Sequence, residues 1–299
     1  MKSELKRECK NEKHIEKYIE LNITKTEDIH YLCCFGENWL FRGQNNKDWK
    51  LKTSIEREIE KSGNNDTTYL ERNLISYFQR QAHSFIDNLP EERNYIAWLS
   101  YIQHHGGVTR LLDFSRSMYI GLYFAVRKLD FSSDSALWGI NYGKLWECLS
   151  DFHQINYTSS NYVEFNKYTF WNFGDGRSFK EVILHFEPHF MNKRMSAQQG
   201  TFLIPSHYII PFEEALLKTF QMDLSTFEGN KPIQIDSNNS YAISQNANII
   251  KVIIPSYLRK EILHLLNKMN INEKTLFPDM DGLAKYLNYK MYEKGDFVW

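Results

Sequence analysis

The stretch from Gln103 to Ala125, QHHGGVTRLLDFSRSMYIGLYFA, constrains the fold more than any other part of the chain. Two adjacent histidines precede Gly106-Gly107. A strand-like run follows from Val108 to Phe114, and Ser115 and Ser117 open an aromatic-rich helix. Glycine reaches backbone conformations that a Cβ forbids, so the Gly-Gly pair reads as a hinge. Serine caps a helix because its hydroxyl accepts from an orphan backbone N–H. Arg110 and Asp113 stand three apart among apolar neighbours, where a charge is costly unless paired or used. On a regular strand they face opposite ways. The expectation is that Asp113 reaches Arg42 or a histidine while Arg110 points into a cleft. A strand, a turn and a helix N-terminus together can floor a site for a polar or phosphorylated ligand.

Upstream, Trp39-Leu40-Phe41-Arg42-Gly43-Gln44 reads as a strand ending in a turn. Arg42 then sits near the strand's C-terminal end, where open sheets commonly carry ligand contacts. Apolar residues at helical spacing predict helices over 53–60, 69–87 and 94–104, the last delivering Gln103, His104 and His105 to the hinge. Downstream, 118–128 reads as a helix. Strands are expected at 135–142, 181–186, 201–204 and 248–254, and helices at 257–269 and at the C-terminal end. The aromatic, Asn-rich run 144–180 and the variable run 213–246, with a polar insertion at 226–240, carry no clear period. Helices concentrate early and strands late, which favours one α+β domain: a mixed sheet with an early helical layer. Residues 1–34 are expected to be a charged, helical lead-in packing on a domain that spans 35–299.

Composition narrows the function classes. The net charge is −1, whereas a nucleic-acid binder usually shows a basic excess or stripe. Cys9, Cys33, Cys34 and Cys148 form no metal-ligand spacing and read as free thiols of a reducing, cytoplasmic setting. The charged N-terminus has no apolar run, and no segment approaches the length of a membrane span. No metal site and no permanently bound cofactor is expected.

Taken in order, these pieces resemble the FRG domain family. Phe41-Arg42-Gly43 followed by Gln44 and Trp49 is similar to the motif that names it. The QHHG-x-x-TRLLDFS run with Phe124-Ala125 is similar to its strongest signature, with Gly107 in place of an expected longer apolar residue. Gln198-Gln199-Gly200-x-Phe202 and Leu276-Phe277-Pro278-Asp279 with Gly282-Leu283-Ala284 also resemble it, so the likeness runs from about residue 35 to the C-terminus. The order of Arg42, the Ser115/Ser117 pair and the helix from Tyr119 is more distantly similar to ADP-ribosyltransferase folds. That resemblance implies an arginine holding a phosphate or ribose of NAD, a serine supporting the nicotinamide pocket and a later glutamate stabilising the transition state. Here the later segment reads Ala197-Gln198-Gln199-Gly200, so Glu181, Glu187 or Asp113 would have to supply the carboxylate.

The candidate catalytic residues are therefore Arg42, His104, His105 and Asp113. The candidate substrate-binding residues are Arg110, Ser115, Ser117, Arg194 and Gln199. Arginine offers five donors in a fork suited to phosphate or carboxylate, and histidine titrates near neutral pH. Adjacent histidines cannot share a face, so at most one of the two belongs to the site. Three readings stay open. One is an NAD-directed transferase or glycohydrolase acting as a toxin or anti-phage effector on an unknown macromolecular acceptor. Another is a nucleic-acid-directed module stacking bases on Trp39, Trp49 and Tyr119. The third is a nucleotide sensor without turnover.

Overall fold

The computed structural model describes residues 17–63, 70–85, 89–128, 130, 132–152, 181–187, 192–206 and 210–292. Eight strands form one mixed sheet: β1 (Tyr18–Asn22), β2 (Trp39–Gln44), β3 (Leu112–Ser115), β4 (Ser135–Asn141), β5 (Ile183–Phe186), β6 (Gly200–Pro205), β7 (Ile233–Gln234) and β8 (Ile249–Ile254). Their order is β5-β6-β3-β2-β4-β8-β1-β7. β1 runs parallel to β7 and β8, and the remaining neighbours are antiparallel.

The helices are α1 (Ser54–Ser62), α2 (Leu70–Ala82), α3 (Tyr95–His104), α4 (Met118–Val126), α5 (Tyr142–Phe152), α6 (Lys193–Ala197), α7 (Phe212–Thr219), α8 (Ser240–Asn246), α9 (Ser256–Lys268), α10 (Glu273–Leu276) and α11 (Met280–Tyr292). Three of the early helices start where the sequence supplies a cap. Thr53 accepts from the Glu56 amide in a capping box, Asn94 accepts from Ala97, and Ser117 accepts from Ile120. Two apolar clusters cover the sheet. One joins α2, α3, α5 and α7 to Leu40, Phe114, Trp138 and Phe202. The other joins α4, α8, α9 and the 3-10 helix Thr26–Cys34 to Trp39, Phe41, Leu137 and Val252.

The α+β architecture with a mixed sheet matches the sequence expectation, but three details differ. Tyr18–Asn22 is a strand inside the expected helical lead-in, because Tyr18, Ile19 and Leu21 are buried beside β8; residues 1–16 lie outside the described residues. The sheet draws strands from the whole chain rather than from its second half. The variable run 213–246 holds two short α-helices, the 3-10 helix Leu224–Phe227 and edge strand β7. Of the run 144–180, residues 153–180 lie outside the described residues.

Around the Phe-Arg-Gly motif, sequence dictates packing residue by residue. Phe41 is buried in the second cluster, and Arg42 points to the opposite face because side chains alternate along a strand. Gly43 lets α4 lie directly on β2: a Cβ there would stand 2.1 Å from the Gly121 carbonyl oxygen and 2.2 Å from the Ala125 nitrogen. Gly106, at φ +82°, supplies the left-handed turn that ends α3.

Candidate functional site

The sheet is barely joined between β2 and β3. Phe41 pairs with Ser115, and no other residue of the two strands pairs across that seam. By contrast β2 and β4 pair over six residues, Trp39 to Gln44. Beyond Phe41 and Ser115 the sheet splits, and a cleft of about 320 Å³ opens over the split. Its walls come from β2 (Arg42, Gly43), β3 (Asp113, Ser115), the end of α3 (Gln103, His104), α4 (Phe124) and α6 (Arg194).

Arg42 bridges the split. Its Nη1 donates to the Asp113 carbonyl oxygen at 2.8 Å and lies 4.0 Å from Asp113 Oδ2. Its Nε is buried and finds no acceptor among the described residues. Burial lowers the Arg42 pKa from the usual guanidinium value, with Asp113 opposing that shift and Arg57 adding to it. The side chain still carries its charge at neutral pH. Asp113 is held from the other side, where Gln103 Nε2 donates to Oδ1 at 2.8 Å. Gln103 in turn accepts from the Thr109 hydroxyl, which fixes the amide's orientation.

Two further arginines reach the same cleft, and the C-terminal segment braces both. The Arg194 guanidinium lies 4.5 Å from the Phe277 ring centre, and that of Arg127 lies 5.2 Å from Phe277 and 5.4 Å from Phe124. Such stacking holds a cation in place without removing its hydrogen-bond donors. Gln198 Nε2 donates to the Leu276 carbonyl at 2.9 Å and ties the same segment to the cleft wall. Gly282 permits the arrangement, since a Cβ there would fall 1.9 Å from the Phe277 carbonyl oxygen.

Five of the nine residues singled out from sequence line this cleft: Arg42, His104, Asp113, Ser115 and Arg194. His104 is kept toward its neutral form, its pKa lowered by burial first and then by His105 and Arg194. Ser115 Oγ donates to the Gln198 carbonyl at 2.8 Å and accepts from the Ser117 amide at 3.0 Å, so it ties β3 to the α6 turn.

The other four are placed elsewhere. Arg110 is fully buried, its Nε 2.9 Å from Glu71 Oε2 and its Nη1 donating to the Pro205 and Ser206 carbonyls. The strand starts only at Leu112, so the alternation expected of Arg110 and Asp113 does not hold and Arg110 turns inward to α2. Ser117 serves as the N-cap of α4. His105 is the exposed C-cap of α3. Gln199 is exposed in a left-handed turn (φ 46°), its carbonyl accepting from the Arg116 amide at 3.0 Å.

Sequence reasoning missed Gln103, Arg127 and Gln198. Gln103 and Gln198 each neighbour a residue that was chosen, and helix phase alone could have favoured them. Arg127 carries no motif. Of the three carboxylates considered, Asp113 lines the cleft, while Glu187 binds Arg116 at 2.5 Å and Glu181 binds Lys218. Trp39 is buried, with its indole donating to the Ser244 carbonyl, so it offers no face to a base. Among the described residues no group of three or more His, Cys, Asp or Glu side chains is placed to hold a metal ion. No helix among them is long and apolar enough to cross a membrane.

Comparison with known families decides the class. The FRG domain family matches residues 37–134, which contain β2, β3 and the hinge between α3 and β3. The chain carries an FRG domain. No curated protein and no solved structure matches it. The FRG match supplies Arg42, Asp113 and the α3 wall. The remaining walls of the cleft, α6 and β6, and the Phe277 segment that braces them follow the matched residues in the chain.

Proposed function

We propose that the cleft of this FRG-domain protein binds a nucleotide through its phosphates and acts on NAD as an ADP-ribosyltransferase or glycohydrolase. The observation that supports this most is the convergence of Arg42, Arg127 and Arg194 on one cleft that also holds aromatic walls and a carboxylate. Arginine forks suit phosphate oxygens bidentately, Phe124 suits a base, and Asp113 suits a developing positive charge. In the proposed reaction the bond between ribose C1′ and the nicotinamide nitrogen breaks. Its electron pair passes to that ring nitrogen and cancels the pyridinium charge, so the leaving group needs no proton. Asp113 stabilises the oxocarbenium-like ribose, as carboxylates do in glycoside hydrolysis. Water or an acceptor nucleophile then attacks C1′ and yields its proton to neutral His104. A chain that consumed NAD in this way would suit the role of a toxin or defence effector.

A second reading follows from Asp113 itself. Its carboxylate is already held by Gln103 and drawn toward Arg42, which favours a site that binds a nucleotide without turnover. Incubation with NAD separates the two. The first reading expects nicotinamide release that Asp113→Asn abolishes, and the second expects saturable binding with none. Absence of both binding and release would overturn the proposal.

A further inference from the structure

The C-terminal helix α11 has two unlike faces. Tyr286 and Tyr289 turn inward and line a cavity between α11 and α9. Tyr289 also packs against the second apolar cluster. At about 3.6 residues per turn, Met280, Leu283, Leu287 and Met291 fall together on the opposite side. They are 78 %, 37 %, 43 % and 68 % exposed. Single apolar side chains on a surface need no explanation, but a contiguous patch marks an interaction site. These four stand three, four and four residues apart on one helix of 13 residues. That spacing makes the narrow seam of a helix pair rather than the broad face that packs on a sheet.

We propose that this stripe pairs with the same stripe of a second copy of the chain, the two α11 helices running antiparallel about a two-fold axis. The stripe is self-complementary under reversal. With the axis level with Lys285, Met280 meets the partner's Met291 and Leu283 meets the partner's Leu287. Lys285 itself lines the inner cavity, so the axis does not bring two ammonium groups together. Charge fixes the sense of the pairing. Asp281 stands in the first turn and Lys290 in the last. Asp279, just ahead of the helix, caps it by accepting from the Gly282 amide at 2.8 Å through Oδ1. Helical phase puts Asp279 and Lys290 on the same flank of the stripe. The antiparallel arrangement lays each acidic start on the partner's basic end, whereas a parallel one stacks like on like. The Lys290 ammonium lies 5.8 Å from the Tyr286 ring centre, and with three donors it can hold a carboxylate as well.

A seam one helix long spans roughly 20 Å and buries less than the roughly 1,600 Å² of a standard stable interface. The dimer is therefore reversible and forms as concentration rises. Helix α11 also leads directly from the brace under Arg127 and Arg194, and Gly282 packs on Phe277, so pairing steadies that brace. The pairing itself rests on α11 alone and does not depend on what the cleft binds.

Sedimentation velocity on the full chain, from micromolar to millimolar concentration, tests this. The expected result is a monomer–dimer equilibrium that Leu287→Lys and Met280→Lys each weaken at least tenfold, with circular dichroism confirming the fold. Met280 is the most exposed of the four, which keeps the test valid if Leu287→Lys fails to fold. Lys290→Glu should weaken the dimer several-fold, and adding Asp279→Asn in the same chain, which keeps a capping oxygen, should restore part of the loss. A loss left unrelieved contradicts the antiparallel sense and overturns the proposal. So does dimerisation unchanged by both lysine substitutions, which places the interface elsewhere. A wild-type chain that stays monomeric throughout also overturns it. If Leu287→Lys then lowers the melting temperature, the face belongs to another segment of the same chain.

Discussion

Arg42 and Asp113 meet across the one seam where the sheet comes apart. The guanidinium donates to the Asp113 carbonyl, while the Asp113 carboxylate is turned toward Gln103. The arginine is thus anchored by one nitrogen and keeps donors for a ligand. Arg42→Ala should weaken phosphate-ligand binding by about tenfold to a hundredfold, the range for a lost charge-assisted hydrogen bond of about 1.5–3 kcal/mol. Arg42→Lys should recover little of it, because an ammonium lacks the planar fork. Titration with ADP-ribose reads both, with circular dichroism confirming that each variant folds.

The Arg110–Glu71 pair should behave in the opposite way. Both side chains are almost completely buried, and removing one partner leaves an uncompensated charge. Arg110→Ala is expected to cost about 3–5 kcal/mol of stability. Denaturant unfolding reads that loss, and ligand affinity per folded molecule should stay within about twofold.

Gly43→Ala tests the close approach of α4 to β2. The clash is with backbone atoms, which cannot rotate away, so a loss at or above the usual overpacking range of about 1–3 kcal/mol is expected. Gly36→Ala, with nothing within 4 Å of its Cβ position, is the matched control and should be near neutral in the same thermal melt.

Phe277→Leu removes the ring beneath Arg127 and Arg194 while keeping an apolar side chain. Loss of two exposed cation–π contacts is worth about 1–2 kcal/mol in total. The expected result is a several-fold weaker affinity for ADP-ribose, beside a lower melting temperature because Phe277 is also buried in the second cluster. An unchanged affinity would remove the C-terminal segment from the account of the cleft.

His185 gives the pH dependence. Its pKa is lowered from 6.5 to about 4 by burial, with Glu187 pulling the other way and Arg116 adding to the shift. Its Nε2 bonds Thr201 Oγ1 at 2.7 Å. A depressed folded-state value means that the unfolded chain binds the proton first. Stability from this group is complete above about pH 6.5 and is lost as pH falls toward about 4. The loss amounts to roughly 3 kcal/mol at most, at about 1.4 kcal/mol per unit. Wild type and His185→Gln compared by urea unfolding between those pH values should converge as the pH drops.

The parts of this molecule legible in sequence were those with a local cause. Capping residues marked the starts of α1 and α4, helical spacing marked α3, and continuous apolar runs marked β2 and β8. Arg42 and Asp113 stood out because a charge in an apolar run needs a partner. Strand β1 was not legible, because its burial depends on β8, more than two hundred residues away. Arg110 was misplaced because a run of apolar residues does not show where pairing begins. Arg127 and the Phe277 brace depend on contacts between distant segments, which no local pattern encodes.

Isothermal titration of the full chain with ADP-ribose, beside the Arg42→Ala and Arg194→Ala variants, tests the cleft most directly. Saturable one-site binding by the wild-type chain, weakened tenfold or more in each variant and reduced by added salt, is the predicted result. Equal affinity in all three proteins, or no binding by the wild-type chain, would contradict a phosphate-binding cleft at the split between β2 and β3.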